Sequence, residues 1–213
     1  MDEHQEWYNK KLGERCVASL KKHGFDAHLV DTAEEARKLV LAMISGYATF
    51  GFGGSATTRG LGLMEELSRQ GKTIYDHLEP GLGREENLAR RLSQGRCDCF
   101  LCSANAVSET GEIVNVDGVG NRTAAMTFGP KKIVIVAGIN KVTPDLETAL
   151  RRVWEVAGPV RARSLKMQTP CAETGVCIDC NTPQRICNVT TILHRRPILS
   201  DVSVVLVNQA LGY

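Results

Sequence analysis

A continuous apolar run, KKIVIVAG at 131–138, constrains the fold of this chain more than any other stretch. The run is rich in β-branched residues and lacks polar alternation, which is typical of a strand buried on both faces at the centre of a parallel sheet. Helical patterns separate it from most other predicted strands, and this alternation favours an α/β fold with a doubly wound, mostly parallel sheet. The other predicted strands lie at 25–30, 49–54, 72–77, 98–103, 111–118 and 203–208.

The chain has 213 residues, which is long for one small domain and short for two. Residues 1–24 are predicted to form an N-terminal helical arm that packs on the domain or on a partner. Residues 25–213 are predicted to form a single domain, in which a long helix runs from Pro144 to about 166. A Cys-rich loop at 170–188 follows that helix and belongs to the same domain.

Charge and hydropathy exclude several classes of partner. The net charge of +2 offers no strong basic field for nucleic acid or for an anionic membrane. No apolar run approaches the roughly 20 residues that a membrane-spanning helix needs, and the polar start MDEHQEWYNKKLGERC lacks a signal-peptide core. We therefore expect a cytoplasmic protein. In a reducing compartment, cysteines act more often as metal ligands, redox groups or core residues than as disulfides.

The loop GFGGSATTRG at 51–60 is the first candidate for ligand binding, because ligands of open parallel sheets lie at the carboxyl ends of the strands. Its glycines allow close approach of the backbone, and its hydroxyls lie at a helix start that favours a phosphate or a carboxylate. It matches neither a Walker loop nor a dinucleotide fingerprint. The alternative is a tight strand–helix turn with a Ser or Thr cap. The candidate ligand-binding residues here are Gly53, Gly54, Ser55 and Thr57.

Two further loops, SANAVSETG at 103–111 and NVDGVGNRTAA at 115–125, are predicted to reach the same edge. Arg122 stands in the first turn of a predicted helix, where a cation opposes the dipole, so it is expected to meet an anion or the carboxylate of Asp117. The alternatives are a locally bonded turn in the first loop and a structural Arg–Asp pair in the second. The candidate residues of these loops are Asn105, Glu109, Asp117, Gly118, Asn121 and Arg122.

Four cysteines in the segment CAETGVCIDCNTPQRIC are the predicted metal ligands, namely Cys171, Cys177, Cys180 and Cys187. Their spacing is C-x5-C-x2-C-x6-C, and the flanking glycine and prolines favour a loop that can wrap an ion or a cluster. Thiolates bind both zinc and iron–sulfur clusters, so the spacing leaves the metal open. Cys16 and the cysteines of RCDCFLC, by contrast, are predicted to be small core residues.

The motifs GFGGSATTRGLGL, CDCFLCSANAVSETGEIVNVDGVGNRTAAMTFGPKKIVIVAGINKV, TPCAETGVCIDC with RIC after it, and VVLVNQALGY resemble the LUD-domain family over roughly residues 25–213. This family contains lactate utilization proteins of the LutC type and was formerly a domain of unknown function. The resemblance implies a fold like that of sugar-phosphate isomerases, glucosamine-6-phosphate deaminase and CoA transferases (NagB/RpiA/CoA-transferase-like). It also implies a part in oxidising L-lactate beside iron–sulfur partner proteins, and it favours an iron–sulfur cluster, of the 4Fe–4S type, over zinc.

The resemblance carries over to single residues. The GGSAT loop matches the position at which the superfamily binds phosphate or carboxylate, and the four cysteines match the tail of single-domain members. The residues that match the family's distinctive loops are Asn105, Asp117, Gly118, Asn121 and Arg122. No Lys or His is expected beside the GGSAT loop as an isomerase or deaminase base, and His77 is interpreted as a surface or packing residue.

Three functional hypotheses follow. In the first, the chain binds a small anionic metabolite and a cluster and works with partner proteins on a 2-hydroxy acid. In the second, Glu109 or Asp117 serves as base or nucleophile of an isomerase or CoA-transferase-like enzyme acting on a phosphorylated sugar or an acyl-CoA. In the third, the chain is a non-catalytic assembly or regulatory subunit with structural zinc. A homo-oligomer is compatible with each.

Overall fold

A computed structural model describes residues 2–213 and confirms the predicted doubly wound α/β fold. Six parallel strands form the main sheet in the order β1-β10-β7-β4-β2-β3, and four shorter strands form a second sheet in the order β8-β5-β6-β9. The strands are β1 (Asp26–Val30), β2 (Thr49–Phe52), β3 (Thr73–Asp76), β4 (Cys99–Cys102), β5 (Ala106–Ser108), β6 (Ile113–Asp117), β7 (Lys132–Gly138), β8 (Val142–Thr143), β9 (Val189–Leu193) and β10 (Asp201–Val207).

Strand β7 lies inside the main sheet, as its apolar run predicts. It pairs in parallel with β10 on one side and with β4 on the other, and all seven of its residues are buried. Parallel strands between two layers of helices have no solvent face, so an uninterrupted apolar sequence is what this position requires. The carboxyl ends of the six strands therefore point to one edge of the sheet.

Helices cover both faces of this sheet. On one face, Cys16 and Leu20 of α1 are fully buried against residues of the strands. On the other face, Val40 and Ile44 of α2 are fully buried in the same way. The division between an arm at 1–24 and a domain at 25–213 stays a prediction. The helices are α1 (Glu3–Lys22), α2 (Ala33–Ile44), α3 (Ala56–Gly60), α4 (Leu63–Arg69), α5 (Arg84–Gln94), α6 (Asn121–Thr127), α7 (Leu146–Arg152), α8 (Gly158–Ser164) and α9 (Pro170–Thr174). None of the helices in residues 2–213 has the length and apolarity needed to cross a membrane.

The second sheet corrects the expectation for 103–118, and it adds strand β9, which directly follows the Cys-rich loop at 170–188. Strand β6 does not join the main sheet; it pairs antiparallel with β5 and with β9. Gly111 has φ +105° in the tight turn between β5 and β6, a conformation that glycine adopts without steric cost. The hairpin and β9 together fix the loop that leaves β6 at Asp117.

The helix predicted from Pro144 to 166 is interrupted. It forms α7, then a π-helical turn at Val153–Ala157, and then α8. Single π-helical turns inside α-helices often occur at functional sites. Here the turn brings Val153, Ala157 and Gly158 to the carboxyl edge of the main sheet.

Candidate functional site

A cavity of about 270 Å³ opens at the carboxyl edge of the main sheet, and we call it the edge cavity. Loops after β2, β3, β4 and β6, the 3₁₀ turn after β7, and helix α8 surround it. Its volume lies just below the roughly 300–1,000 Å³ typical of drug-sized ligands, so it suits a small metabolite. Eight of the ligand-binding or catalytic candidates line it, namely Gly54, Ser55, Thr57, Asn105, Asp117, Gly118, Asn121 and Arg122.

Gly53 lies behind the cavity wall. A β-carbon at this position would stand 3.1 Å from Cδ of Arg122 and 3.2 Å from Cβ of Cys102. Real β-carbons rarely approach other atoms so closely, because packed interiors leave no spare volume. Gly53 therefore lets the aliphatic part of Arg122 cross the end of β2.

Glu109 lies outside the edge cavity. Its carboxylate is 2.5 Å from Nε of Arg15 on helix α1, and its backbone N–H donates to the carbonyl of Thr143. The catalytic role of Glu109 stays a prediction.

Asp117 holds the start of helix α6. Its carboxylate accepts from the backbone N–H groups of Arg122 at 2.9 Å, Val119 at 3.3 Å and Thr123 at 3.4 Å. Burial alone would raise the pKa of Asp117, but the charge of Arg122 and these three N–H groups outweigh it and lower the pKa. The lowered pKa makes this carboxylate a weak base, and its catalytic role stays a prediction.

The Arg122 guanidinium holds two loops together. It donates to Oδ1 of Asn115 at 2.8 Å, to Oδ1 of Asn105 at 3.2 Å and to the carbonyl of Val116. The backbone N–H of Val116 in turn donates to Asn105 at 2.8 Å. Arg122 and Asn105 thus shape the wall of the cavity, and Arg122 adds a positive charge to it.

The charges around the edge cavity are strongly unequal. Three arginines, Arg91, Arg122 and Arg161, line it, whereas Asp117 is the one Asp or Glu among its lining residues in the part of the chain that the structure describes. Partly desolvated cations concentrate an anionic ligand and bind it more strongly than they would in water. The cavity is therefore suited to a small carboxylate or phosphate.

The contacts of the His77 ring favour one tautomer. The amide nitrogen of Gln94 lies 2.9 Å from Nδ1 of His77 and 2.9 Å from the carbonyl oxygens of Phe52 and Tyr75. This amide nitrogen has only two protons for the three contacts, but it cannot accept a hydrogen bond, so the contact is compatible with an Nδ1 that carries no proton. The proton of the neutral ring then lies on Nε2.

The Nε2–H group of His77 faces the cavity. A β-carbon on Gly54 would stand 3.7 Å from this Nε2 and 3.5 Å from Nη2 of Arg161, so both donors border the same space. Burial first, and then the charge of Arg91, lowers the pKa of His77 to about 4. The ring consequently remains a neutral donor at physiological pH.

Lys141 corrects the expectation that no Lys or His stands beside the GGSAT loop. It ends the 3₁₀ turn at Ile139–Lys141, is only 3% exposed, and its Nζ donates to Oγ1 of Thr57 at 3.0 Å. His77 borders the same loop through Gly54. The sequence does contain a signal for Lys141, since it directly follows the strongest strand at the carboxyl edge, where functional side chains collect. That loop was not among the candidates.

The four predicted metal ligands surround one small cavity of about 20 Å³, which we call the cysteine cavity. All four thiols are free and half-buried. Arg185 braces the loop by donating to the carbonyl of Cys180 at 2.6 Å and pairing with Asp179 at 2.7 Å. The lining cysteines are Cys171, Cys177, Cys180 and Cys187.

Four thiols with no Asp or Glu among the described residues that line the cavity form a donor set that fits zinc or an iron–sulfur cluster. As the side chains stand, no three His, Cys, Asp or Glu residues within 2–213 are close enough together to hold one ion. Binding would therefore require rotations of the cysteine side chains, which half-buried thiols on a loop can make.

The cysteine cavity and the edge cavity share a wall. Gly158, Ile186 and Cys187 line both. Asn188 holds this wall in place, since its backbone N–H donates to the carbonyl of Asp117 at 3.0 Å and its side chain to the carbonyl of Gly118 at 3.0 Å. The cysteine loop is thus attached directly to the loop that borders the edge cavity.

Comparisons with known proteins bear on this arrangement. Residues 13–207 match the family model of the LUD domain. Among solved structures, the chain is similar to a DUF162 family protein from Deinococcus radiodurans, determined at 1.70 Å resolution, with a TM-score of 0.54 and 14% identity over 93% of this chain and 98% of that one. At that identity the likeness shows the fold. A comparison with curated proteins finds no match. The family match spans most of the chain, and the chain therefore belongs to the LUD domain family.

Proposed function

We propose that this chain is a LutC-like lactate utilization protein that binds a small anionic metabolite in the edge cavity and an iron–sulfur cluster at the four tail cysteines. The observation that carries the proposal is the shared wall, since Cys187 lines both cavities. A redox centre held there would stand beside the anion site, and placing a cofactor against its substrate is the main task of a protein in cofactor chemistry.

The edge cavity supports a 2-hydroxy or 2-oxo acid as the metabolite. Its three arginines, Arg91, Arg122 and Arg161, oppose the carboxylate of Asp117, and its volume of about 270 Å³ matches a small molecule. Arg161 and the Nε2–H of His77 border one space beside Gly54, where they can donate to carboxylate and hydroxyl or carbonyl oxygens.

A bound cluster would supply one-electron transfer between the metabolite site and partner proteins. The chain's own part is to hold the anion, to keep His77 as a neutral donor and to shape the wall at Ile186 and Cys187. Two-electron oxidation of a 2-hydroxy acid then requires iron–sulfur partner proteins that accept the electrons. The reducing cytoplasm predicted from the sequence would keep the thiols free for metal.

The test is metal analysis after anaerobic purification. We expect iron and acid-labile sulfide at about four each per chain, with charge-transfer absorption in the visible range, as four thiolates hold a 4Fe–4S cluster. Replacing the four tail cysteines with serine should abolish both. The matched control is Cys16→Ala, which removes a fully buried thiol of the core and should leave the iron content unchanged.

A structural zinc site is the second candidate, and the size of the cysteine cavity favours it. About 20 Å³ is close to the space of one water molecule, so a single ion needs less rearrangement than a cluster. Stoichiometric zinc without visible absorption would reject the redox function and support an assembly or regulatory subunit.

A further inference from the structure

The ammonium or amine of Lys141 is held by two hydroxyls at the floor of the edge cavity. Nζ lies 3.0 Å from Oγ1 of Thr57 and 2.9 Å from Oγ of Ser103. The Thr57 hydroxyl donates to the carbonyl of Leu211 at 3.2 Å, and the Ser103 hydroxyl donates to the carbonyl of Ala104 at 3.3 Å. Since each hydroxyl has one proton and a carbonyl to receive it, both accept from Nζ.

These contacts leave one position of Nζ open. Its tetrahedral neighbours are the side-chain carbon Cε, the proton given to Thr57 and the proton given to Ser103. The fourth position has no hydrogen-bond partner among the residues that the structure describes, and Lys141 lines the edge cavity. In a neutral amine that position holds the lone pair.

The surroundings favour the neutral amine. Burial first, and then the charges of Arg152 and Arg122, lower the pKa of Lys141 to about 7, against a smaller opposing effect of Cys102. No carboxylate lies within ion-pair distance of Lys141 in residues 2–213. A lysine desolvated beside other cations is how proteins activate an amine as a nucleophile.

Lys132 shows the contrasting arrangement. It is also buried, at 6% exposure, but its Nζ lies 2.9 Å from the carboxylate of Asp201 and 2.8 Å from the hydroxyl of Ser203. It begins strand β7, whereas Lys141 follows the end of that strand. The chain therefore contains a buried lysine with a carboxylate partner as an internal comparison.

We propose that Lys141 is a nucleophile that condenses reversibly with the carbonyl group of a small 2-oxo acid bound in the edge cavity. The lone pair of Nζ forms a bond to the carbonyl carbon, and the carbonyl oxygen leaves as water with the two amine protons, so that a neutral imine remains. No oxidant is consumed. Arg161 and the Nε2–H of His77, which border the cavity beside Gly54, supply donors for the carboxylate. This inference rests on the proposed function, because a 2-oxo acid is the product of 2-hydroxy acid oxidation.

The test is reductive trapping on the full chain. Protein is incubated with pyruvate and sodium cyanoborohydride, and the adduct is located by peptide mass spectrometry. We expect one adduct, on Lys141, because it is the one lysine among the described residues that line the edge cavity. Lys132→Arg should retain this adduct and Lys141→Arg should lose it. Labelling spread over surface lysines, or undiminished labelling in Lys141→Arg, would overturn the inference, and mapping in the unaltered protein decides the matter even if a variant folds poorly.

A binding measurement separates this inference from the proposed function. The affinities of L-lactate and pyruvate for the unaltered protein are measured by calorimetry without a reductant. If pyruvate binds but forms no adduct, the nucleophile is rejected while the anion site stands. If neither acid binds, the proposed metabolite is rejected as well. Lactate has no ketone group that could form an imine, so an adduct formed with lactate would show that the trapping is nonspecific and would overturn the inference.

Discussion

Arg161 differs from the other arginines of the edge cavity in how firmly it is held. Arg122 is fixed by Asn105, Asn115 and Val116. Arg161 donates to the carbonyl of Gly54 at 2.8 Å, but its second contact, with the hydroxyl of Ser164, is long at 3.4 Å. That end of the guanidinium can exchange a weak hydroxyl partner for a carboxylate at little cost.

We therefore predict that Arg161→Gln weakens the binding of pyruvate and L-lactate about tenfold or more, since a hydrogen bond to a charged group contributes roughly 1.5–3 kcal/mol. The affinities can be measured by calorimetry. Arg163→Gln is the matched control, because Arg163 lies on the same helix α8 but does not line the edge cavity. Equal affinities in the two variants would show that Arg161 does not contact the bound anion.

Single residues also show what the sequence could and could not predict. Ser55, Thr57, Asn105 and Asp117 were found because they follow strands in glycine-rich loops, a local pattern. Arg161 carries no such pattern, since it reaches the cavity from a helix that follows the loops by dozens of residues. The lowered pKa of His77 depends on its burial and then on the charge of Arg91, and both are consequences of tertiary packing.

At the scale of elements, the π-helical turn and the end of the cysteine loop meet at the wall between the two cavities. Gly158 follows the turn, and Ile186 crosses over Gly118 with its Cα 3.1 Å from the position of a β-carbon there. The contact involves backbone on both sides, so neither partner can move aside by rotating a side chain. Gly118 is thus the point at which the cysteine loop is seated on the loop after β6.

We predict that Gly118→Ala displaces Ile186 and Cys187, lowers the free energy of unfolding by about 1–3 kcal/mol, and lowers the iron retained after anaerobic purification. Overpacking against backbone is the cause. The measurements are urea unfolding and iron analysis on the same preparations. Gly60→Ala is the control, since a β-carbon on Gly60 would have no heavy atom within 4 Å. Iron content equal to that of the control would show that this contact does not position the metal site.

The elements that the sequence missed are short. Strands β5 and β8 contain three and two residues, too few for periodicity to be recognised. Strand β9, VTTIL, is rich in β-branched residues but shows no alternation of buried and exposed positions. Its place is decided by pairing with β6, which is a long-range contact. The main sheet was predictable because the continuous apolar sequences of its central strands indicate that these strands are buried.

Across the whole molecule, the cysteines fall into a group that packs in the core and a group of predicted metal ligands. Four thiols are buried in the core on the two faces of the main sheet, and four surround the cysteine cavity. Burial raises the pKa of Cys16, Cys97 and Cys102 to about 12 and raises that of Cys99 as well. Unfolded cysteine has a pKa of about 8.5. Above that pH the unfolded chain releases protons that the native core retains.

Lys141 changes the free energy of unfolding with pH in the direction opposite to the core cysteines. Its native pKa of about 7 lies below the value of about 10.4 in an unfolded chain, so between these values the unfolded chain binds one proton more and stability rises with pH. Each such group changes the free energy of unfolding by up to about 1.4 kcal/mol per pH unit. Lys141 alone therefore raises stability from about pH 7 to 8.5, and the four core cysteines outweigh it at higher pH.

We predict that the free energy of unfolding, measured by urea titration under reducing conditions, falls steeply from about pH 8.5 to 10. In Lys141→Met the rise between about pH 7 and 8.5 should be absent relative to the unaltered protein, because the titrating amine is gone. Replacing the four tail cysteines with serine should leave the steep fall in place, since these thiols are only half-buried. If the fall in the free energy of unfolding disappears in that variant, the pH sensitivity arises in the Cys-rich loop at 170–188 and not in the core. Parallel curves for Lys141→Met and the unaltered protein would show that the amine is charged in the native state, and the nucleophile proposed above would lose its physical basis.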